Sequence, residues 1–306
     1  MKGENLRLGL DIGGTNIRSG VFSGHSLLWE YRQEARLADL CHESQPAEAL
    51  KKILSILSLS IEKPLTQFPE VRTIGLAFPG FIHPLTHRLS LSPNLPGLID
   101  VDLVTPLNAY FNRPVILEND ALAAAYGEFL LSPTASGSMI YVGLGTGVGG
   151  GLILSGKPHS GEHGVAMEIG HLIVEPGGRL CGCGNHGCLE QYVSATGVAA
   201  SYGVAGARVP EIAQRAIAGD SKALQAFRMG ASLLGIAMAH VFKTLDVKHL
   251  RVGGGVSHAW TLMEPHFLST LNSHLIPALR GKIQVQVSTA NDHAGMLGAA
   301  MLSDPI

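Results

Sequence analysis

The sequence predicts an α/β protein made by duplication, with two lobes and a cleft between them. Three observations carry this prediction. A strand–glycine turn–strand unit occupies residues 6–23, and a second unit of the same plan occupies residues 139–156. The two superpose at an offset of about 132 residues, and no better internal repeat is visible. The remaining sequence alternates helix-period and short strand-period runs, the pattern of a layered α/β fold. At 306 residues the chain also exceeds what one hydrophobic core usually serves.

In chain order, the first unit consists of a strand from Leu6, the turn Gly13-Gly14-Thr15-Asn16, and a strand from Ile17 to Phe22. Pro46 to Ile61 places Leu50, Ile53, Leu54 and Leu57 on one face, which predicts an amphipathic helix. Thr73 to Phe78 is a buried strand broken by Pro79-Gly80, and Pro114 to Leu117 is a second short strand. An Ala-rich helix runs from Asp120 to about Leu130. Met139 to Val142 and Leu152 to Leu154 flank the second glycine turn. A long helix covers Ser221 to Leu245, and a strand then leads into Gly253-Gly254-Gly255. Residues 283–288 form a last strand, and a closing helix begins at Asp292. The expected division places residues 1–118 plus 291–306 in one lobe and residues 119–290 in the other.

Composition narrows the function classes. The chain is 46% hydrophobic and 15% charged, which excludes disorder, and its net charge of −2 comes without a basic block, so no nucleic-acid surface is expected. Apolar runs fall short of spanning length, so no membrane partner is expected, and the absence of signal-peptide regions predicts a cytoplasmic address. Three of the four cysteines (Cys181, Cys183 and Cys188) lie within eight positions, whereas Cys41 stands alone. A disulfide framework scatters cysteines differently, so the cluster points to metal.

The turns suit phosphate. In Asp11-Ile12-Gly13-Gly14-Thr15-Asn16 the glycines let successive N–H groups approach an anion, Thr15 adds a hydroxyl, and Asp11 is suited to Mg²⁺ directly or through water. Gly143-Leu144-Gly145-Thr146-Gly147-Val148-Gly149-Gly150-Gly151 offers the same chemistry. Gly253-Gly254-Gly255 is suited to lie against a base or ribose. Each turn taken singly reads first as a tight hairpin, and none fits the Walker or dinucleotide pattern. Together they point to a nucleotide.

Glu168-Ile169-Gly170-His171 precedes Cys181-Gly182-Cys183-Gly184-Asn185-His186-Gly187-Cys188. His171, Cys181, Cys183 and Cys188 supply the four ligands of a closed tetrahedral zinc site, and a closed set leaves no position for water, which makes the metal structural. His186 is a competing ligand with poorer reach and is taken as a solvated loop histidine. The metal fixes the loop that joins Glu168 to Glu190, two carboxylates suited to accept hydrogen bonds from vicinal hydroxyls. Glu190 is equally a solvated carboxylate at a helix start.

Glu118-Asn119-Asp120 ends a strand and opens a helix. Asp120 fits either an N-cap or a general base receiving a hydroxyl proton in phosphoryl transfer. Asn119, Asn94 in Ser92-Pro93-Asn94-Leu95-Pro96-Gly97, and Gly80 in Phe78-Pro79-Gly80 are candidates to line the same pocket, or are ordinary turn chemistry.

Taken together, these residues resemble the ROK (repressor, open reading frame, kinase) family of sugar kinases, over essentially the whole chain. The pair Glu-x-Gly-His and Cys-x-Cys-Gly-x-x-Gly-Cys-x-Glu is the most specific part of the match. The resemblance implies an actin-like ATPase fold of ribonuclease H-like halves, a hinge between lobes, and frequent dimers. It implies ATP with Mg²⁺ bound at Asp11, Gly13, Gly14, Thr15, Asn16, Gly145, Thr146, Gly147 and Gly254. Structural Zn²⁺ would sit on His171, Cys181, Cys183 and Cys188. The sugar would contact Gly80, Asn94, Asn119, Glu168, His171 and Glu190, with Asp120 as base. His171 would then touch both zinc and sugar. The chain departs from many relatives in having Asn16 where they have Lys. The expected reaction is phosphorylation of a hexose or N-acetylhexosamine, with C6 as the expected acceptor. The rival expectation is a sugar-sensing or transcription-regulating relative; the regulators carry an added DNA-binding segment, for which the few residues before Leu6 leave no room. The identity of the sugar is not encoded in these motifs.

Overall fold

Leu-Arg-Leu-Gly-Leu-Asp-Ile buries nearly every position and forms β1 (Leu6–Ile12), the centre of the first sheet. The computed structural model describes residues 5–132, 137–289 and 293–303. After β1 come β2 (Asn16–Ser23), β3 (Ser26–Glu34), α1 (Leu37–Glu43), α2 (Pro46–Gln67) and β4 (Thr73–Phe78). A small three-stranded sheet follows, made of β5 (Phe81–Ile82), β6 (Leu89–Leu91) and β7 (Ile99–Val101), and then α3 (Val104–Phe111), β8 (Val115–Asn119) and α4 (Asp120–Leu131). The second repeat begins with β9 (Met139–Leu144), β10 (Val148–Leu154) and β11 (Lys157–Pro158). It continues with α5 (Glu190–Val193), α6 (Ala195–Tyr202), α7 (Val209–Ile217), α8 (Ser221–Leu245), β12 (His249–Gly253), α9 (Trp260–His274), β13 (Gln284–Val287) and the closing α10 (His293–Leu302).

The two five-stranded sheets share one plan. The first has the order β3-β2-β1-β4-β8 and the second β11-β10-β9-β12-β13. In the first, β1, β2 and β3 pair antiparallel, while β4 pairs parallel with both β1 and β8. In the second, β12 pairs parallel with β9 and β13, and β10 pairs antiparallel with β11. The duplication expected from the two glycine turns is therefore present in the strand order.

The chain divides into two compact units, one of residues 1–137, 151–166 and 290–306, the other of residues 138–150 and 167–289. This division differs from the expected break at 118/119. Helix α4 stays with the first unit because it packs on α10, and the β10–β11 end goes with it. Asp292, the expected start of the closing helix, lies outside the described residues. The helix expected to end near Ile61 runs on to Gln67 through Pro64. Pro64 has no N–H to give the Ser60 carbonyl, and the Ser19 hydroxyl reaches that carbonyl instead, at 3.4 Å. Helix α2 buries Ala49, Ile53, Leu57, Ile61 and Leu65 in one core with Leu8, Leu10 and Ile12 of β1.

Helix α10 lies against β1, β4 and α4 at backbone distance. A methyl group at Gly75 of β4 would overlap the Ala299 carbonyl oxygen, and one at Gly298 would overlap the Ala123 carbonyl oxygen. Both neighbours are main chain and cannot yield as a side chain would. Gly75→Ala is expected to lower the unfolding free energy by about 2 kcal/mol or more, the cost of forcing packed backbones apart. Guanidinium titration measures this, and an unshifted midpoint would contradict the packing argument.

Candidate active site and metal centre

In the first unit, Asp11 lies beside Arg18 of β2 and Ala77 of β4. Burial pushes its carboxyl up, and the Arg18 charge opposes the rise. The turn after β1 closes with Gly13 N–H donating to the Asn16 carbonyl at 2.8 Å. Its outer carbonyls are occupied: Thr15 O accepts from Ala35 and Arg36 N–H (2.8 and 3.1 Å), and Gly14 O accepts from Ala38 N–H at 3.2 Å. Thr15 is exposed, whereas the Asn16 Oδ1 accepts from Arg32 Nε at 3.4 Å.

Hydrogen bonds bring Gly80, the Asn94 loop, Asn119 and Asp120 together. Ser92 Oγ donates to the Pro79 carbonyl, which ties the loop carrying exposed Asn94 to the Phe78–Gly80 turn. Asn119 Nδ2 donates to the Gly80 carbonyl at 3.0 Å. Of the two readings for Asp120, the structure settles the capping one against it. The N-cap of α4 is Asn119, whose Oδ1 accepts from Leu122 N–H at 2.9 Å. Asp120 is the first helical residue, and its Oδ1 accepts from Ala121 N–H at 2.8 Å, which fixes the carboxylate's orientation. Beside it, Glu118 is half-buried. Burial pushes its carboxyl up to about 7, against the lowering effect of Asn119 N–H.

In the second unit, the turn after β9 closes with Gly145 N–H donating to the Gly147 carbonyl at 3.0 Å. The segment from Glu190 to Thr196 grips it from outside. Gly145 O accepts from Ala195 N–H at 2.8 Å, Thr146 O from Thr196 Oγ1 at 3.1 Å, and Glu190 Oε2 from Val148 N–H at 3.0 Å. A methyl group at Gly147 would displace the Glu190 carboxylate from its place beside the turn. Gly254 follows β12 with φ of 81°, and its carbonyl accepts from Ser257 Oγ at 2.7 Å. The sequence reading did not single out Ser194 or Thr196. Ser194 carries a legible N-cap signal for α6, but the reach from Thr196 to Thr146 is not written in any spacing.

Glu168, His171 and Glu190 form one electrostatic group. Glu168 Oε2 lies 3.8 Å from His171 Nε2. Burial pushes the Glu168 carboxyl up, His171 opposes the rise and Glu190 adds to it. The other ring nitrogen, His171 Nδ1, is 3.6 Å from Cys181 Sγ, and Cys183 Sγ is 3.6 Å from Cys188 Sγ. All four candidate ligand atoms lie within 4.8 Å of one another. A tetrahedral zinc with ordinary bond lengths sets edges of about 3.8 Å between sulfurs and about 3.6 Å from sulfur to nitrogen, so the set fits zinc. The thiol chemistry agrees. The Asn185 N–H draws exposed Cys183 down, while burial and the neighbouring thiols push Cys188 up to about 12, so holding Cys188 as a thiolate calls for a cation beside it. His186 Nδ1 faces the Gly178 carbonyl at 3.0 Å and is outside the ligand set. Among the described residues no helix is long and apolar enough to cross a membrane.

Comparison with known proteins gives a consistent result. The ROK family profile matches residues 7–305. An N-acetylmannosamine kinase of Escherichia coli (strain 55989 / EAEC) is 33% identical over 301 residues, covering 97% of each chain. The crystal structure of a ROK hexokinase from Thermus thermophilus superposes with a TM-score of 0.81 at 30% identity, covering 97% of each chain. A ROK family glucokinase from Streptomyces griseus, in complex with glucose and AMPPNP, superposes with a TM-score of 0.80 at 29% identity, over 97% of this chain and 99% of its own.

Two expectations follow from this geometry. Cys183→Ser is expected to lose zinc, read by elemental analysis, with a melting temperature several degrees lower; full zinc retention would remove Cys183 from the ligand set. Glu118 holds its proton in the folded chain up to about pH 7, against an ordinary value of 4.5. Its contribution to stability is therefore complete below the ordinary value and fades as pH rises through 7. Glu118→Gln should stabilise the chain relative to wild type at pH 8 and leave it level at pH 4.5; thermal melts that shift equally at both pH values would contradict this assignment.

Proposed function

The chain belongs to the ROK family, and we propose that it phosphorylates the C6 hydroxyl of a hexose or N-acetylhexosamine with Asp120 as general base. It has the two-lobed actin-like ATPase fold of the family's sugar kinases and is an ATP-dependent sugar kinase. Two observations support this reading: the match to the N-acetylmannosamine kinase over 97% of both chains, and the Asp120 carboxylate held in a fixed orientation at the start of α4 by Ala121 N–H.

The residues divide the task by unit. In the first unit, the Gly13–Thr15 turn receives phosphate oxygens through N–H groups, and Asp11 is placed for the Mg²⁺ that accompanies ATP. Asp120 takes the proton as the sugar oxygen bonds to the γ-phosphorus and the bond to ADP breaks. In the second unit, the Gly145–Gly147 turn provides a second set of donors, and Gly254 lies at the base or ribose. Glu168 and Glu190 accept hydrogen bonds from sugar hydroxyls, and His171 Nε2 donates beside them. His171, Cys181, Cys183 and Cys188 would hold zinc, whose contribution is to cross-link the loop between Glu168 and Glu190. In the first unit, Asn94 and Asn119 have side chains of the kind that hydrogen-bond sugar hydroxyls. Among acceptors, N-acetylmannosamine and glucose head the candidates, as the substrate named for one relative and the ligand bound by another.

A coupled ADP-release assay with ATP and Mg²⁺ against N-acetylmannosamine, glucose, N-acetylglucosamine, allose and fructose tests the reading. One sugar should exceed the others in kcat/KM by about tenfold or more, and silence across the panel from zinc-loaded protein would overturn it. Asp120→Asn should lower kcat by about three orders of magnitude while sugar and AMPPNP binding persist. Turnover retained in that variant would take the base role away from Asp120.

A further inference from the structure

We infer that Arg179 is a positioning residue for the nucleotide turn, carrying the order of the metal loop through α5 and α6 to Gly145–Val148. The inference rests on the reading that this turn binds ATP phosphates and that the cysteine loop holds zinc. Arg179 lies two residues before Cys181, and its backbone belongs to the metal loop: its carbonyl accepts from Gly187 N–H at 2.8 Å. Its N–H donates to the Tyr192 hydroxyl at 3.0 Å.

The half-buried guanidinium then leaves the loop. Nη1 donates to the Gln191 carbonyl at 2.6 Å and to the Gly197 carbonyl at 3.1 Å, and Nη2 donates to Ser201 Oγ at 3.0 Å. It also lies over the Tyr192 ring, 4.7 Å from the centroid. One side chain thus fastens α5, which has only four residues, to α6 and fastens both to the metal loop.

The contacts held in this way are the ones that grip the turn. Gln191 and Gly197 bracket Ser194, Ala195 and Thr196. Ser194 Oγ accepts from Gly197 N–H at 3.0 Å and meets Thr196 Oγ1 at 2.9 Å. Ala195 and Thr196 hold the carbonyls of Gly145 and Thr146, and Glu190, at the head of α5, holds Val148 N–H. Without the guanidinium, a four-residue helix and a helix N-terminus must keep three hydrogen bonds to the turn in register by themselves. A lysine supplies a single charged centre, reaches one carbonyl at a time, and does not reproduce the planar fork.

The test uses the full-length zinc-loaded chain as wild type, Arg179→Ala and Arg179→Lys. AMPPNP affinity is measured by calorimetry with Mg²⁺, zinc content by elemental analysis and stability by thermal melting. Arg179→Ala should keep its zinc and weaken AMPPNP binding by about tenfold, with KM for ATP rising in parallel, and Arg179→Lys should fall between the two. A purely structural role would lower the melting temperature and leave the affinity of the folded protein unchanged. An AMPPNP affinity within about twofold of wild type in the zinc-loaded Ala variant would overturn the inference, as would loss of zinc from that variant. If Arg179→Ala does not accumulate, the Lys variant decides, and a wild-type affinity there overturns the inference. Failure of the wild-type chain to bind AMPPNP at all would overturn the nucleotide reading and this inference with it, which separates the two failures.

Discussion

Helix α10 can occupy its place only because strand, helix and helix meet there with almost no side chains between them. Gly75 accepts the Ala299 carbonyl against its Cα, and Gly298 accepts Ala123 in the same way. The organisation of the first unit depends on this contact. β1 presents Asp11 at its far end, β4 leads to the Gly80 turn, and α4 begins at Asp120. Each of the three packs on α10. Gly295, in the first turn of α10, brings its backbone close to the Asp11 carboxylate itself. The acids of this unit are thus held by close-packed main chain, which moves less than side chains do.

The second unit solves the same positioning problem by different means. Its turn is held by side chains and a short helical corner, and its carboxylates are spaced by electrostatics. Burial and Glu190 push the Glu168 carboxyl up, and His171 opposes the rise. A histidine that places Nδ1 toward three thiols and Nε2 toward a carboxylate links the two chemistries in one ring. That geometry explains why Glu-x-Gly-His and the cysteine cluster occur in one chain: each fixes an end of the same imidazole.

Much of this was legible in the sequence because it is local. The glycine turns, the cysteine spacing, the long helix Ser221–Leu245 and the helix from Asp120 are written within short windows, and the strand order repeats as the offset of the turns implies. What was not legible depends on partners far along the chain. The break at 118/119 failed to anticipate that α4 has its partner in α10, well over a hundred residues later. Asn119 and Asp120 are both good N-caps, and only backbone geometry assigns the cap to Asn119. The spacing that predicts a helix to Ile61 gives no sign that it continues through Pro64, where the Ser19 hydroxyl reaches the Ser60 carbonyl that the proline leaves without its usual donor. Arg179 sits in a loop where a single arginine gives no signal at all.

The position of α10 has a consequence for how the chain is made. The first unit draws its opening strand from residue 6 and its closing helix from residue 293 onward, whereas the second unit is complete by residue 289. Domains synthesised on a ribosome usually finish in the order in which they emerge. Here that order is reversed: the later unit has all its parts first, and β1, β4 and α4 wait with an uncovered apolar face until the last helix arrives. Contacts of such long sequence separation form slowly. The nascent chain therefore carries this apolar face uncovered until α10 has been made.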